Sequence, residues 1–346
     1  MNNYDREMKH CISLAKKAFG KTSPNPLVGC VVINSDGKVI STGYHKKYGE
    51  FHAERDALNK SDNAKGCTLV VNLEPCCHHG KTPPCTDIIL EKGIKKVVYG
   101  MKDPNPLVSG KGLKILKDAG VEVVGPVLED ECKNLNEIFI KNKIKGETFV
   151  AIKTATTADG KIATSTGDSK WITSDKARKA AHKLRTYYDA ILTSSSTVIA
   201  DNPEMRHKKK IIIDRNLKTD INSNIYLQGE IIVFHSDKIK APQNTKNITY
   251  ISAPENNNRL DIKYILNKIF ELGIMSVFIE AGGRLCGSFI PYADKIYHFI
   301  APKILNDNSG KSCFDGANAD KISQCAEFEI CEIKKIGKDV LITYKK

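Results

Sequence analysis

His52-Ala53-Glu54, Cys76 and Cys85 are the residues whose types and spacing point most directly to chemistry. One imidazole and two thiolates suit zinc, which takes nitrogen and sulfur donors in a tetrahedron. Three protein ligands leave a fourth position for a water, and the metal draws that water's proton affinity down toward neutrality. Glu54 lies two residues past His52, at the expected start of a helix. It is close enough to exchange a proton with such a water without binding the metal. Cys76 follows Pro75 and is expected at a helix or turn N-terminus, where backbone dipoles favour a thiolate. Cys77, His78 and His79 crowd the same stretch and compete as ligands. The bland alternative is a chance histidine among unrelated core cysteines. It leaves the conjunction of H-x-E with Glu74-Pro75-Cys76 unexplained.

These residues need a frame. Apolar residues at helical spacing (Met8, Cys11, Ile12, Ala15) predict a helix over 4–19. A buried strand over 28–33, the turn Asn34-Ser35-Asp36-Gly37 and a strand over 39–44 read as a hairpin. Helices follow at 52–59, 86–92 and 112–119, alternating with strands at 68–73, 96–100 and 121–124. That alternation predicts a mostly parallel sheet covered by helices. One helix is expected over 129–145, and the domain boundary falls at Gly146, giving domains of residues 1–146 and 147–346. The second half restarts with a strand at 149–154. Further strands are expected at 190–193, 211–214, 231–235, 248–252, 277–281, 295–301 and 340–344, with helices at 175–187 and 262–272. Both halves are therefore α/β.

The length of 346 residues, with 41% hydrophobic and 27% charged residues, suits two globular domains. No apolar run is long enough to cross a bilayer, and residues 1–9 lead into no signal core. Eleven cysteines, an odd number spread along a long chain, fit a reducing cytoplasm better than a disulfide scaffold. The net charge of +13 reads either as a lysine-rich surface or as a preference for anionic ligands.

The pair H-x-E and P-C is the first part of a zinc nucleobase-deaminase signature, but eight residues rather than two separate the cysteines. With Asn25-Pro26-Leu27-Val28-Gly29, the run from Glu74 to Cys85, and Asp103-Pro104-Asn105-Pro106, the chain resembles the bifunctional riboflavin-biosynthesis deaminase–reductase family. In that family the long insert is the rule. The resemblance implies a cytidine-deaminase-like α/β/α domain followed by a dihydrofolate-reductase-like α/β domain. It implies zinc on His52, Cys76 and Cys85, Glu54 as proton shuttle, and substrate contacts from Asn25, His45 and Lys81. The implied substrate is a small phosphorylated pyrimidine, the implied assembly a homo-oligomer, and the implied second cofactor NADPH, used to reduce a ribosyl group to ribityl.

No G-x-G-x-x-G follows the first strand of the second half, so a Rossmann site is unsupported. Glu280-Ala281-Gly282-Gly283-Arg284 follows a strand, and its glycines suggest backbone close to an anion. Trp171, the only tryptophan, has two readings: core packing, or cover for a nicotinamide ring. Carried over by motif, cofactor contacts fall on Ala155, Trp171, Thr197, Asp201 and Gly282, Gly283, Arg284, Leu285, Cys286, Gly287 and Ser288. Substrate contacts fall on Ser169, Arg185 and Glu280, with Lys153 as the catalytic partner of hydride transfer. The chain departs from the family after Asp201-Asn202-Pro203. Met205 stands where a leucine is usual, as a packing residue or a substrate contact, and Arg206 or Lys208 could supply the phosphate-binding charge, though lysine lacks the bidentate fork. Arg215 replaces a small residue after Asp214; it either meets a cofactor 2′-phosphate or obstructs it. Three rival readings remain: a deaminase acting on nucleic acid, which predicts a basic, aromatic-lined groove, a non-catalytic zinc-binding scaffold, which predicts no use for Glu54, and an active deaminase with an impaired reductase.

Overall fold

The computed structural model describes residues 4–78, 83–106, 108–316 and 319–346. The chain divides into two compact units, Met1–Gly146 and Glu147–Lys346.

In the first unit the strands are β1 (Gly29–Ile33), β2 (Val39–Tyr44), β3 (Thr68–Val71), β4 (Lys96–Tyr99) and β5 (Glu122–Val124). They form one sheet in the order β2-β1-β3-β4-β5. The helices are α1 (Asp5–Lys16), α2 (Ala53–Leu58), α3 (Cys85–Glu91), α4 (Lys111–Asp118), α5 (Glu129–Leu135) and α6 (Glu137–Lys145). The sheet is less parallel than its alternating pattern predicts. β1 runs antiparallel to both β2 and β3, and only β3–β4 and β4–β5 are parallel. The cause is the β1–β2 hairpin: α2 returns the chain past β1, so β3 pairs on the far side of the strand that the hairpin reversed. All five residues of β1 are buried. α1 packs Met8, Cys11, Ile12 and Ala15 into the same core. Gly29 permits this approach, since a Cβ there would lie 2.1 Å from the Cys11 carbonyl oxygen.

The single helix expected over 129–145 is two helices broken at Asn136. The Asn136 side chain accepts from Leu27 N–H (2.8 Å) and donates to the Leu27 carbonyl (3.1 Å). Two tertiary hydrogen bonds thus hold a residue whose backbone, at φ −108° and ψ 21°, has left the helix. Asn72 donates to the same carbonyl and accepts from Gly29 N–H. Together the two asparagines fix the strand entry that carries Asn25.

In the second unit the strands are β6 (Phe149–Thr156), β7 (Lys161–Ala163), β8 (Ala190–Ser194), β9 (Lys209–Ile213), β10 (Glu230–Ser236), β11 (Ile248–Ala253), β12 (Glu255–Asn256), β13 (Arg259–Leu260), β14 (Ser276–Ile279), β15 (Lys295–Ile300), β16 (Lys311–Ser312), β17 (Glu329–Ile336) and β18 (Asp339–Lys345). The helices are α7 (Asp175–Arg185), α8 (Ser195–Asp201), α9 (Ile262–Glu271) and α10 (Gly283–Phe289). Nine strands form one sheet in the order β11-β10-β9-β8-β14-β6-β15-β18-β17. The run from β11 to β15 is parallel; β18 and β17 add antiparallel at one edge. From β6 the chain moves outward to β11, then returns through α9 to insert β14 between β8 and β6. That reversal makes a crevice at the C-terminal ends of the parallel strands, the usual ligand position of open α/β sheets.

Candidate functional site

In the first unit the sequence folds three short motifs onto one point. His52 caps α2 in an extended conformation, Cys76 follows β3, and Cys85 is the first residue of α3. The Cys85 and Thr86 amides both donate to the Cys76 carbonyl, closing the 76–85 segment on itself. His52 Nδ1 lies 3.4 Å from Cys76 Sγ and 3.4 Å from Cys85 Sγ. All three donor atoms lie within 4.8 Å of one another. A tetrahedral zinc with bonds of about 2.0–2.3 Å requires ligand separations of roughly 3.5 Å, so the cluster fits that ion. Cys85 and His52 hold the Cys76 thiol far below its ordinary range, at about 4. The hydrogen bond to Cys76 and burial push Cys85 up. The three groups share protons that a metal would displace.

Glu54 is 3% exposed on the first turn of α2. Burial, and then the nearby Cys76 charge, raise its carboxyl to about 7, against the opposing pull of His52. The cluster opens into a cavity of about 280 Å³. Asn25, His45, Glu50, Glu54, Asp103, Asn105, Phe139 and Lys143 are among its lining residues. His45 is 2% exposed. Its Nδ1 donates to the Phe51 carbonyl (3.0 Å), and its Nε2 accepts from the Asn25 amide (3.2 Å). Burial lowers its pKa, so it is a neutral ring that orients Asn25 rather than a charge for a phosphate. Lys81 lies outside the described residues.

Sequence reasoning missed Glu74. Its buried carboxylate accepts four backbone N–H groups, from Asp103 (3.1 Å), Gly110 (2.9 Å), Gly112 (3.0 Å) and Leu113 (3.4 Å). One side chain therefore ties the backbone at Asp103 and Gly110 to the segment carrying Cys76. The only sequence signal was a glutamate beside Pro75, where no charge is needed for the zinc motif.

In the second unit the register Ile152↔Ile279 sets Lys153 beside Glu280. Arg185, the last residue of α7, donates to Glu280 from Nε (2.6 Å) and Nη2 (2.9 Å), and Lys153 Nζ lies 3.5 Å from the same carboxylate. Burial would raise the Glu280 pKa, but Lys153 and Arg185 outweigh it and carry it down to about 2. Arg185 is thus engaged with Glu280 in this state. Ala155, one turn of the pleat beyond Lys153, packs toward α7.

Ser169 and Trp171 line a second cavity with Lys161, Lys170 and Lys303. Trp171 is 63% exposed, which excludes the core-packing reading. The Arg178 guanidinium lies 4.4 Å from its ring centroid. Thr197 lies in the first turn of α8, just past the C-terminal end of β8, and its N–H donates to Ser194 Oγ. Asp201 ends α8 and is exposed.

The remaining residues expected at this site are placed as follows. Gly283 lets the chain at Ser312 approach, since a Cβ there would lie 2.1 Å from the Ser312 carbonyl oxygen. Gly287 is likewise closed by Asp315. Gly282 alone faces open space. The Cys286 side chain is fully buried and donates to the Ala281 carbonyl, and Leu285 packs on the core, so both side chains are spent on packing. Arg284 is exposed near Asp315 (3.5 Å), and Ser288 Oγ bonds back to the Arg284 carbonyl. Met205 is buried with Ile191, Val198 and Ile212, in line with the packing reading. Lys208 precedes β9, whose Lys210 pairs with Ile191 while its Ile213 pairs with Ser194. At about 3.3 Å per residue, Lys208 lies roughly 17 Å from the crevice edge. His207 binds the Tyr188 carbonyl at that opposite end, and Arg206 beside it pairs with Glu204. The structure therefore separates Arg206 and Lys208 from Glu280 and Lys153. Arg215 does lie at the crevice edge, next to Ile213, but it is held by Glu255 (3.5 Å) and Asn258 (3.4 Å).

Fold and site define a zinc-centred deaminase unit joined to an α/β reductase unit. The family model "Cytidine and deoxycytidylate deaminase zinc-binding region" matches residues 1–101, and "RibD C-terminal domain" matches residues 148–342. The chain belongs to the RibD family of bifunctional riboflavin-biosynthesis enzymes. It is 38% identical to riboflavin biosynthesis protein RibD of Actinobacillus pleuropneumoniae, over 97% of this chain and 94% of that one. It is 40% identical to the Aquifex aeolicus protein, over 98% and 97%. Among solved structures, a diaminohydroxyphosphoribosylaminopyrimidine deaminase/5-amino-6-(5-phosphoribosylamino)uracil reductase of Thermotoga maritima superposes with a TM-score of 0.88 at 37% identity, covering 99% of this chain and 98% of that one. Acinetobacter baumannii RibD gives 0.87 at 32%, over 98% and 97%. The protein is a deaminase and a reductase, and its cofactors are Zn²⁺ and NADPH. The fold expected for each half stands. The nucleic-acid alternative is not favoured: Glu50, Glu54, Glu74 and Asp103 line the deaminase cavity against one lysine among its described residues, the wrong charge for a polyanion.

Proposed function

We propose that residues 1–146 hydrolyse the exocyclic amine of 2,5-diamino-6-ribosylamino-4(3H)-pyrimidinone 5′-phosphate, and that residues 147–346 reduce the ribosyl group of the product to ribityl. The observation that carries the first step is Glu54, a buried carboxyl beside the His52–Cys76–Cys85 cluster, whose raised proton affinity suits it to take and return a proton near neutral pH. His52, Cys76 and Cys85 would hold the metal, and Asn25, oriented by His45, would read the pyrimidine edge. When bound, zinc supplies Lewis acidity and NADPH supplies a hydride. Glu54 would accept a proton from the attacking water and deliver it to the departing amine, releasing ammonia and leaving a carbonyl on the ring. In the second unit Glu280, kept ionised by Arg185 and Lys153, would bind the sugar hydroxyls, and Lys153 would place its ammonium next to the reacting carbon. Trp171, Thr197 and Gly282 fit a dinucleotide by exposure, by hydroxyl position and by open space, and Ser169, beside Trp171, would contact substrate.

The test is a coupled assay following ammonia release and NADPH oxidation with this substrate. Loss of both on Glu54→Gln, with NADPH oxidation restored by adding the deaminated intermediate, is the expected result. Ammonia without NADPH oxidation would establish the impaired-reductase reading instead.

No helix among the described residues is long and apolar enough to cross a membrane. The eleven free cysteines support a cytoplasmic setting. For the proposed homo-oligomer, β17 offers an edge strand that exposes Ile330 and Ile333, and the molecular mass in solution tests it.

A further inference from the structure

An exposed tryptophan gains little from burial, so its neighbours decide whether the ring stays in one place. Trp171 is largely exposed and lines a cavity with Ser169 and Lys303. The Arg178 guanidinium lies over the indole, 4.4 Å from the ring centroid. It covers one face of the ring and leaves the other for a planar ligand. Arg178 is itself fixed. Its Nη1 donates to the Thr173 carbonyl (2.8 Å), and its Nη2 reaches Asp175 Oδ1 (3.4 Å). A flat cation that stacks on an aromatic face while forking its donors to two acceptors is a role for arginine and not for lysine.

The chain on both sides of the ring is anchored as well. Lys303 Nζ donates to the Trp171 carbonyl (2.6 Å). Asp339, fully buried at the start of β18, accepts from the Ser174 N–H (2.7 Å) and from the Ser174 hydroxyl (2.5 Å). Ser174 in turn caps α7 by accepting from the Ala177 N–H. The N-terminus of α7 is thereby tied to the large sheet, and Arg178 stands one turn into that helix. Arg185, seven residues on and so on the same helical face, grips Glu280 at the other end. At 1.5 Å per residue the two arginines lie roughly 10 Å apart along the axis. One rigid helix therefore sets the spacing between the indole and the carboxylate that would bind the sugar.

We propose that Arg178 is a positioning residue of the reductase half: it holds the Trp171 ring in place before the cofactor arrives, so that the uncovered face of the indole can receive a flat ring of NADPH. This assignment rests on the reading of Trp171 as a cofactor contact given above. A large side chain that is already ordered does not have to be immobilised on binding. Arg178 therefore acts on the affinity for NADPH and not on hydride transfer itself.

Trp171 is the only tryptophan of the chain, so indole fluorescence reports this one ring. The experiment compares the wild-type protein, Arg178→Ala and Arg178→Lys, first without NADPH and then titrated with it. Without NADPH, Arg178→Ala should lower the fluorescence anisotropy of Trp171 and raise its quenching by acrylamide, with the far-ultraviolet circular dichroism unchanged. Its KM for NADPH should rise roughly three- to tenfold, while kcat at saturating NADPH stays within about twofold of wild type. Arg178→Lys keeps a cation for the ring but not the stacked plane, so it should fall between the two, and it carries the test if the alanine variant does not fold. Wild-type anisotropy in the variants, an unchanged KM for NADPH, or a fall in kcat with KM unchanged would overturn the assignment. Bound NADPH that leaves Trp171 emission unquenched in the wild-type protein is a different failure: it removes the reading of Trp171 as a cofactor contact, and the assignment with it.

Discussion

The two catalytic regions are assembled in opposite ways. The deaminase centre draws its donors from His52, Cys76 and Cys85, each at the start of a short helix or in the loop before one. The reductase centre is made where β6, β14 and the end of α7 meet, from Lys153, Glu280 and Arg185, which lie up to 127 residues apart. Metal ligands tolerate little error in distance, so local turns set them. A charge cluster on a parallel sheet exists only once the strand order is formed, and its single carboxylate, Glu280, is buried against two cations, Lys153 and Arg185. Damage to the first region should therefore be chemical, and damage to the second structural.

The sharpest test of that contrast is Glu54→Gln. It should lower deamination by about 10²- to 10⁴-fold while zinc content and turnover of the deaminated intermediate stay at wild-type level. A fall in zinc content would mean that Glu54 is part of the metal cage. Glu280→Ala should act differently, leaving Arg185 and Lys153 buried without their partner and costing about 3–5 kcal/mol in denaturant unfolding of the second unit. The same cluster fixes a pH dependence. The folded protein keeps Glu280 ionised down to about 2, whereas its ordinary value is 4.5. Its stabilisation is complete above about pH 4.5 and is lost as pH falls toward 2, a span worth roughly 3 kcal/mol. Unfolding of Glu280→Gln followed across that window should be correspondingly flatter.

A smaller effect is expected between the two regions' extremes. Asn136→Ala removes both bonds to Leu27 and should cost about 1–2 kcal/mol in the first unit, with a raised KM for deamination because Asn25 loses its footing. Stability lost without any change in KM would confine Asn136 to a structural role. The least effect belongs to Lys208→Ala. With Lys208 at the far end of β9, the KM values for reductase substrate and NADPH should change by less than about twofold. A larger change would place the substrate phosphate at the wrong end of the sheet.

Most elements were legible in the sequence because their signals are local. The spacing of Met8, Cys11, Ile12 and Ala15 gives α1, and the Asn34–Gly37 turn gives the hairpin. Strands β7, β16 and β17 were not legible. β7 and β16 are two or three residues long and form only by pairing with each other. β17 is exposed over nearly its whole length and carries no burial pattern to read.

By itself the sequence determined the chemistry of the first site: residue types that bind zinc, a carboxyl two residues from one of them, and the helices and strands that present both. Periodicity, capping and ligand type are properties of neighbouring residues. Only the tertiary structure decided that β3 would pair antiparallel with β1, that Asn136 would break a helix to hold Leu27, that Glu74 would tether the cavity wall, and that Lys208 would sit away from the crevice that Glu280 shares with Lys153. Each of these depends on which strands become neighbours and on which buried polar groups must then find partners. Burial and register settle such questions across the whole sheet, and no short stretch of chain encodes them alone.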